Sequence, residues 1–199
     1  MAKRIFDIIF ALLGVIILSP VLFVVALLVY LKLGSPIIFT QKRPGLNGKP
    51  YVMYKFRSMT NKKDKDGNLL PTEQRLVPFG NKIRSTSLDE LPELFNVLKG
   101  DMSLVGPRPL RMDYLGLYSE EQARRHEVKP GITGWAQIHG RNKLDWPERF
   151  KMDVWYVDNQ SLWLDIRIIL KTCVIVVLRE GVNPENEMIM SRFQGNEES

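Results

Sequence analysis

The chain begins with a long apolar segment, and the run Ile8–Leu31 carries no charged side chain. As a straight helix this run would extend about 36 Å, which exceeds the roughly 30 Å of a bilayer's hydrocarbon core. Pro20 lies near its midpoint and cannot donate a hydrogen bond to the carbonyl of Ile16, so a kink is expected there. The hydroxyl of Ser19 can bond to the freed carbonyl. The pattern predicts a membrane segment with a break at Ser19-Pro20.

Both flanks of this segment are cationic. Lys3 and Arg4 precede it, and Lys32, Lys42 and Arg43 follow it. The positive-inside bias therefore gives little reason to place its two ends on opposite sides of a membrane. Two topologies remain open from these residues alone. One is a kinked single-pass anchor, since proline is tolerated in spanning helices, and the other is a helix–break–helix hairpin that enters and leaves one leaflet.

The polar and apolar positions after the membrane segment alternate in short stretches. Ile37–Thr40 and the segment beginning at Tyr51 predict two strands separated by a turn-rich loop. Apolar residues over 91–98 recur every three or four positions, which predicts a short amphipathic helix that ends near Gly100. The chain is therefore predicted to be helix-rich α/β (α+β), with a membrane segment over 1–33, one domain over 34–181 and a polar tail over 182–199.

Two further segments have recognisable patterns. Ser119 and Gln122 have the spacing of a capping box, which predicts a helix that ends before Pro130. The segment 162–178 is apolar except for a few polar positions that share much of one helical face. It is either a core helix or an amphipathic helix at the membrane interface. Residues after 181 are polar and predict a loosely held tail.

Composition narrows the classes of partner. Lys and Arg outnumber Asp and Glu by 28 to 22, and the sequence pI is about 9.4. This excess suits anionic lipids or phosphate-bearing substrates. The chain has no zinc-finger, bZIP or RRM signature, so nucleic acid is not a predicted partner. A single cysteine, Cys173, excludes an intramolecular disulfide framework. P-loop, dinucleotide-binding, HExxH and GxSxG motifs are also missing from the sequence.

Adjacent acids, Asp89 and Glu90, lie just before the predicted helix over 91–98. They have two interpretations. Ser87 with Glu90 matches a capping box, and Asp89 could itself be the N-cap residue. Alternatively, the pair is a nucleophile and its helper. In either case a helix N-terminus favours an ionised carboxylate, which a phosphoryl-transfer nucleophile or a Mg²⁺ ligand must be.

Cationic residues occur in or beside tight motifs. Each could be a solvated charge, but together they predict a diphosphate site, because arginine forks match phosphate oxygens. A carboxylate can attack a diphosphate only when the negative charges are offset, so the acids and cations require each other. The residues are Lys55, Arg57, Arg84, Arg108 and Arg141.

In combination these motifs resemble the bacterial sugar transferases known as monotopic phosphoglycosyl transferases, in their minimal form. The resemblance rests on the Ser19-Pro20 break and on "FTQKRPG", "YKFRSM", "IRSTSLDELPELFNVLKGDMSLVGPRP" and "PGITGWAQIHGR", in the family's order. It implies transfer of a sugar 1-phosphate from a UDP-sugar to polyprenol phosphate, usually undecaprenyl phosphate, with release of UMP. The product is the first lipid-linked intermediate of glycan assembly. Glycosyltransferases that act on this product are the implied partners.

The resemblance also implies roles for individual residues. Asp89 would be the nucleophile that forms a covalent phosphosugar intermediate, and it would contact Mg²⁺. Glu90 would support metal and proton handling. The hydrophobic segment would be a re-entrant hairpin in the cytoplasmic leaflet of the bacterial inner membrane, followed by a small cytosolic catalytic domain with amphipathic interfacial helices. The uridine nucleotide would be bound by Pro107, Arg108 and Pro109, and phosphate oxygens by Lys55, Arg57, Arg84 and Arg141.

Two rival functions follow from the same features. A membrane-tethered glycosyltransferase would transfer the sugar without its phosphate and release UDP. A non-catalytic membrane adaptor would use the basic surface for lipid binding only. Identification of the released nucleotide distinguishes the tethered glycosyltransferase from the sugar-phosphate transferase. Absence of Mg²⁺-dependent UDP-sugar turnover would identify the adaptor.

Overall fold

The computed structural model describes residues 1–140, 144–178 and 192–196. The fold is a helix-rich α/β mixture in which two small sheets are surrounded by helices. The helices are α1 (Ala2–Leu33), α2 (Thr72–Arg75), α3 (Pro78–Ser85), α4 (Glu93–Lys99), α5 (Glu120–Ala123), α6 (Trp135–His139), α7 (Trp146–Asn159) and α8 (Leu162–Leu178). The strands are β1 (Ile38–Pro44), β2 (Pro50–Phe56), β3 (Ser103–Val105) and β4 (Gly131–Thr133).

Helix α1 contains the long apolar segment and continues through Pro20. The Ser19 hydroxyl donates to the carbonyl of Ile16 at 2.8 Å, so it bonds to the group that Pro20 leaves without a partner. The helix ends at Leu33, and its C-cap residue Gly34 has a positive φ of 77°, which suits glycine. Among the described residues, α1 is the one helix long and apolar enough to cross a membrane. Only 11% of its most apolar 18-residue stretch is buried.

Both ends of α1 are fixed to the rest of the chain by polar contacts. Lys3 forms an ion pair with buried Asp165 on α8 at 2.6 Å, and Arg4 donates to carbonyls at the C-terminal end of α4. At the other end, the buried Arg57 guanidinium donates to the backbone carbonyls of 33–35. The start and the end of this helix therefore contact the same folded domain.

Strands β1 and β2 form the predicted antiparallel hairpin, with register from Ile38 opposite Phe56 to Pro44 opposite Pro50. Side chains from β2 and α4 pack with the first half of α1 in one apolar cluster. The last turns of α1 pack on the end of β2 and on α3 in a second cluster. The hairpin thus connects α1 to the helix that follows the acid pair.

Strands β3 and β4 are parallel and lie beside a close crossing of two loops. A Cβ on Gly131 would lie 2.0 Å from the amide nitrogen of Gly106, and a Cβ on Gly106 would lie 2.2 Å from the carbonyl oxygen of Lys129. Only glycine allows this approach. The crossing holds the Gly106–Pro109 loop against β4, so the position of Arg108 depends on these glycines.

Helix α8 has two apolar faces. The structure confirms the core-helix interpretation for one of them, and the interfacial interpretation stays a prediction. One face lies in the core, with Leu164, Ile168 and Ile175 buried. Another face leaves large apolar side chains exposed. The exposed residues include Trp163, Leu170, Val174 and Leu178.

The structure also tests the predicted helix at Ser119 and the predicted tail. The capping box of Ser119 and Gln122 is present, but α5 ends at Ala123 because a 3-10 turn over Arg124–His126 follows it. The prediction of a loosely held tail is wrong for residues 192–196. Phe193 is buried there with 5% of its surface exposed, against an aromatic cluster of the domain.

Candidate active site

A cavity of about 790 Å³ lies between α1, the turn before α4, the Arg108 loop and α8. It has a polar end and an apolar end. The polar end combines both predicted acids with several cations. Its charged residues are Lys55, Arg84, Asp89, Glu90, Arg108, Arg149 and Asp153.

The acid pair occupies a 3-10 turn over Leu88–Glu90, immediately after Ser87 in the left-handed conformation with φ 57°. Helix α4 begins afterwards at Glu93, and its N-cap position, Pro92, forms no side-chain cap. The Ser87 side chain does not cap the turn either. The capping interpretation of both acids is therefore wrong, because neither carboxylate caps a helix.

Glu90 instead binds two cations. Its Oε1 atom accepts from Lys55 Nζ at 2.6 Å and from Arg108 Nη2 at 2.5 Å. Burial alone would raise the pKa of the Glu90 carboxyl, but the charges of Arg108 and Lys55 outweigh burial and hold this pKa well below its ordinary value. Glu90 is therefore an ionised clamp that joins a residue of β2 to the Arg108 loop.

Lys55 also contacts a second acid, which is buried. Its Nζ atom lies 3.2 Å from Oε1 of Glu93, which is 2% exposed. Burial, followed by the negative charge of Glu90, raises the pKa of Glu93 to about 7. The lysine is thus held between two acids at the edge of the cavity.

Asp89 lines the same cavity and is 8% exposed. Within the part of the chain that the structure describes, no hydrogen bond or ion pair involves its carboxylate, in contrast to Glu90. Burial and the charge of Glu90 raise the pKa of Asp89 to about 6, although Lys55, Arg108 and Arg84 oppose the shift. The expectation that a helix end favours the ionised form of Asp89 is therefore wrong, because burial has the largest effect on its pKa.

The remaining predicted residues differ in their position relative to the cavity. Arg84, at the end of α3, lines the cavity. Arg57 does not line it, because its guanidinium binds carbonyls at the end of α1. Pro107 and Pro109 are buried on either side of Arg108 and hold its loop without lining the cavity. Arg141 lies outside the described residues.

Besides Glu93, three charged residues at or behind this site were missed by the sequence reasoning. Arg149 and Asp153 line the cavity from α7, and their spacing of four residues places them on one helical face, a signal that was available. Arg125 forms a buried ion pair with Asp153 at 2.8 Å and donates to the backbone carbonyl of Arg108 at 2.8 Å. No local pattern distinguishes Arg125 from a solvated arginine.

The acids of the cavity can also be tested as a metal site. Among the described residues there is no group of three or more His, Cys, Asp or Glu side chains that could enclose a metal ion. Mg²⁺ in phosphate-transfer sites takes one or two carboxylates together with substrate phosphates, so an all-protein cage is not required. Because the Glu90 carboxylate binds cations, Asp89 is the carboxylate of this pair that fits such a site.

The other end of the cavity is apolar. Gly14, Leu18 and Val21 of α1 form one wall, and Ile175 and Val176 of α8 form another. Both helices also expose large apolar side chains on their outer surfaces. The cavity therefore joins a charged site to helices whose exteriors suit a lipid environment.

Together, these features define a cavity with a charged end, beside helices with exposed apolar faces. In agreement with this description, the family model of the bacterial sugar transferases matches residues 1–179. The chain belongs to this bacterial sugar transferase family.

The chain is similar in sequence to several bacterial sugar transferases and sugar phosphotransferases. It is 55% identical over 194 residues to the uncharacterised sugar transferase EpsL of Bacillus subtilis, covering 98% of this chain and 96% of that protein. It is 42% identical to the undecaprenyl-phosphate galactose phosphotransferase of Salmonella typhimurium, with 90% of this chain and 41% of the relative aligned. Identity to the UDP-glucose:undecaprenyl-phosphate glucose-1-phosphate transferase of Escherichia coli is 44%, with 85% of this chain and 39% of the relative aligned. The chain thus spans about two-fifths of the latter two proteins.

Proposed function

We propose that this protein transfers a sugar 1-phosphate from a UDP-sugar to undecaprenyl phosphate or a similar polyprenol phosphate. The observation that carries the proposal is Asp89, a buried carboxylate without a partner among the described residues, placed beside paired cations in the cavity. Family membership and the names of the relatives support the reaction class.

In the first step, an Oδ atom of Asp89 attacks the β-phosphorus of the UDP-sugar. The new bond joins this oxygen to phosphorus, and the bond from phosphorus to the bridging oxygen breaks, so UMP leaves with the electron pair. The absence of a competing hydrogen bond supports Asp89 rather than Glu90 in this role. A free carboxylate retains its nucleophilic oxygen lone pairs, whereas those of Glu90 are engaged by Lys55 and Arg108.

In the second step, a phosphate oxygen of the lipid acceptor attacks the phosphorus of the aspartyl phosphosugar. The Asp89–phosphorus bond breaks, the free carboxylate is regenerated, and a polyprenyl-diphosphate sugar is released. Both steps transfer the same phosphoryl group, so one pocket serves two unlike substrates in turn.

The cations of the cavity have distinct roles in this proposal. Lys55 and Arg108, held by Glu90, offset the charge of the phosphate oxygens, and Arg84 adds a third positive charge. A Mg²⁺ ion held by Asp89 and the donor phosphates would supply further neutralisation of negative charge. The expectation that Glu90 takes part in proton and metal handling remains a prediction, whereas its clamp geometry supports a role in orienting the cations.

The apolar end supports a lipid acceptor. Residues of α1 and α8 line the cavity within reach of the charged end, and their outer faces are exposed and apolar. A polyprenol phosphate whose tail lies along these helices would present its phosphate to Asp89 from the head-group level of the membrane.

We also propose that α1 is re-entrant, with both ends on the cytoplasmic face of the membrane. The support is that polar contacts fix both ends to one charged domain, Lys3 to Asp165 at the start and Arg57 to the last carbonyls at the end. A helix that crossed the bilayer would need to place one of these contacts on the far side.

The reaction is tested by incubating the purified protein with Mg²⁺ and UDP-galactose or UDP-glucose, the sugars suggested by the relatives. Intact mass is measured without acceptor, and the released nucleotide is identified. The expected result is an adduct of one hexose phosphate in wild type but not in Asp89→Asn, together with UMP. Release of UDP without an adduct would identify a membrane-tethered glycosyltransferase, and absence of turnover over a wider panel of UDP-sugars would leave the adaptor function.

The topology is tested with single cysteines introduced at exposed Ala2 and Lys49 in a Cys173→Ser background. A membrane-impermeant maleimide should label both positions in inverted membrane vesicles and neither position in spheroplasts. Labelling of the two positions from opposite sides would show a spanning helix and overturn the re-entrant topology.

A further inference from the structure

The described C-terminal segment, residues 192–196, packs into an aromatic pocket on the domain. Phe193 is its anchor and is 5% exposed. Four aromatic rings surround it, with centroids between 5.0 and 5.9 Å from its own ring. These rings belong to Tyr114, Tyr118, Trp146 and Phe150.

Polar contacts fix the direction of the segment. The backbone amide of Phe193 donates to the Tyr114 hydroxyl at 3.2 Å. Three residues further on, the Asn196 amide exchanges two hydrogen bonds with the Gln122 side chain, at 2.6 and 3.1 Å. Gln122 also accepts from the backbone of Ser119 in the capping box of α5. The segment therefore connects the start of α5 with the aromatic cluster on α7.

Two of the rings that Phe193 contacts also enclose a buried cation. The guanidinium carbon of Arg125 lies 5.8 Å from the ring centroid of Tyr118 and 5.8 Å from that of Phe150. Phe193 lies against both rings, at 5.9 and 5.0 Å respectively. The C-terminal ring thus supports the aromatic wall that confines Arg125.

Arg125 connects this wall to the active site. It donates to the backbone carbonyl of Arg108 at 2.8 Å and pairs with Asp153, which lines the cavity. Arg108 in turn binds Glu90 at 2.5 Å. A continuous series of contacts therefore leads from the C-terminal segment to the cation at the polar end of the cavity.

We propose that Phe193 is a positioning residue for the transfer reaction, acting through Arg125 on the placement of Arg108. This inference rests on the proposed function of the cavity. Removal of the ring would leave space behind Tyr118 and Phe150, and in close-packed interiors the neighbouring side chains relax into such space. Arg125 would then hold the Arg108 backbone less firmly, and a donor phosphate would meet a misplaced guanidinium.

The first test compares Phe193→Ala and Phe193→Leu with wild type in full-length protein reconstituted in nanodiscs. The control is Gln194→Ala, a neighbouring exposed residue of the same segment. We expect kcat/KM for the UDP-sugar to fall about 10-fold in Phe193→Ala and less in Phe193→Leu, while Gln194→Ala keeps the wild-type value. Assays are run well below the thermal midpoint of each variant. If Phe193→Ala does not fold, Phe193→Leu carries the comparison.

The second test is a double-mutant cycle that separates positioning from general loosening. Dissociation constants for the UDP-sugar are measured in an Asp89→Asn background, so that no variant has to turn over. Phe193→Ala should weaken binding about 10-fold when Arg108 is present and hardly at all in Arg108→Lys. An equal loss in both backgrounds, or wild-type binding and kinetics for Phe193→Ala, would overturn the inference. Failure of the wild type itself to release UMP would instead contradict the proposed function.

Discussion

The two ends of the cavity are built on opposite principles. At the polar end, charged groups are matched before any substrate arrives, with Glu90 bound to both Lys55 and Arg108. At the apolar end, Leu18 and Val176 line the cavity on helices whose outer faces have no partner among the described residues. Electrostatic groups must be oriented in advance to stabilise a transition state, whereas an apolar wall needs only its shape and a lipid to cover it.

The contrast between Asp89 and Glu90 sharpens this comparison further. Both acids lie in one short turn, Asp89 buried and Glu90 half-buried, yet the structure pairs only Glu90 with cations. A carboxylate that forms two charge-assisted bonds is a good clamp and a poor nucleophile. Asp89, which has no partner among the described residues, is the nucleophile in our proposal. Substitutions of the two adjacent acids are therefore expected to have different effects.

The largest expected effect comes from removing the free acid. Asp89→Asn retains the shape of the turn but removes the nucleophilic oxygen charge, and we expect turnover to fall by more than about 1,000-fold. UMP release measured with labelled UDP-sugar checks this. Glu90→Gln is the matched comparison, since it should still form some phosphosugar adduct. Turnover by Asp89→Asn near the wild-type rate would exclude Asp89 as the nucleophile.

A smaller loss is expected when the clamp at the polar end is broken. Arg108→Ala removes a cation from the proposed phosphate site and leaves Glu90 with Lys55 alone, so kcat/KM for the UDP-sugar should fall about 100-fold. Arg111→Ala is a suitable control because Arg111 is exposed and pairs with Asp113, outside the cavity. Equal effects of the two substitutions would show that Arg108 acts only through the net charge of the protein.

Sequence reasoning could predict that both acids belong to the site, but not that one of them binds cations and the other has no partner among the described residues. The pattern at Asp89 and Glu90 fits a capping motif, because local spacing contains no information on partners that are distant in sequence. Glu90 finds its cations 35 and 18 residues away, on β2 and in the Arg108 loop. The β1–β2 hairpin and the apolar face of α4 were predictable from the spacing of apolar residues along the sequence. The buried Arg125, which supports Arg108, was not, because nothing in its neighbourhood marks it as buried.

At the apolar end, a modest and selective effect is expected. Leu18→Ala removes part of the cavity wall, and the loss of about 1 kcal/mol of apolar contact should raise KM for the lipid acceptor about fivefold. The half-reaction with UDP-sugar alone should be unchanged. Ile17→Ala is the matched control on the same helix, since Ile17 is 71% exposed and does not line the cavity. A slower half-reaction in Leu18→Ala would place the donor, rather than the acceptor, at this wall.

The smallest expected effect concerns the pH dependence of stability that arises from a histidine behind the polar end. His126 lies beside Arg125, and burial, followed by the charge of Arg125, lowers the pKa of His126 from 6.5 to about 4. As pH falls from 6.5 towards 4, the unfolded chain binds a proton that the folded protein excludes, so stability is lost in this window. We expect the free energy of unfolding to fall by about 1 kcal/mol between pH 7 and 5 after allowance for partial solvent screening.

Asp89 and Glu93 have raised pKa values and act in the opposite direction, because the folded state accepts their protons first. Chemical denaturation of wild type and His126→Asn isolates the histidine contribution, and identical pH dependence in the two proteins would contradict it.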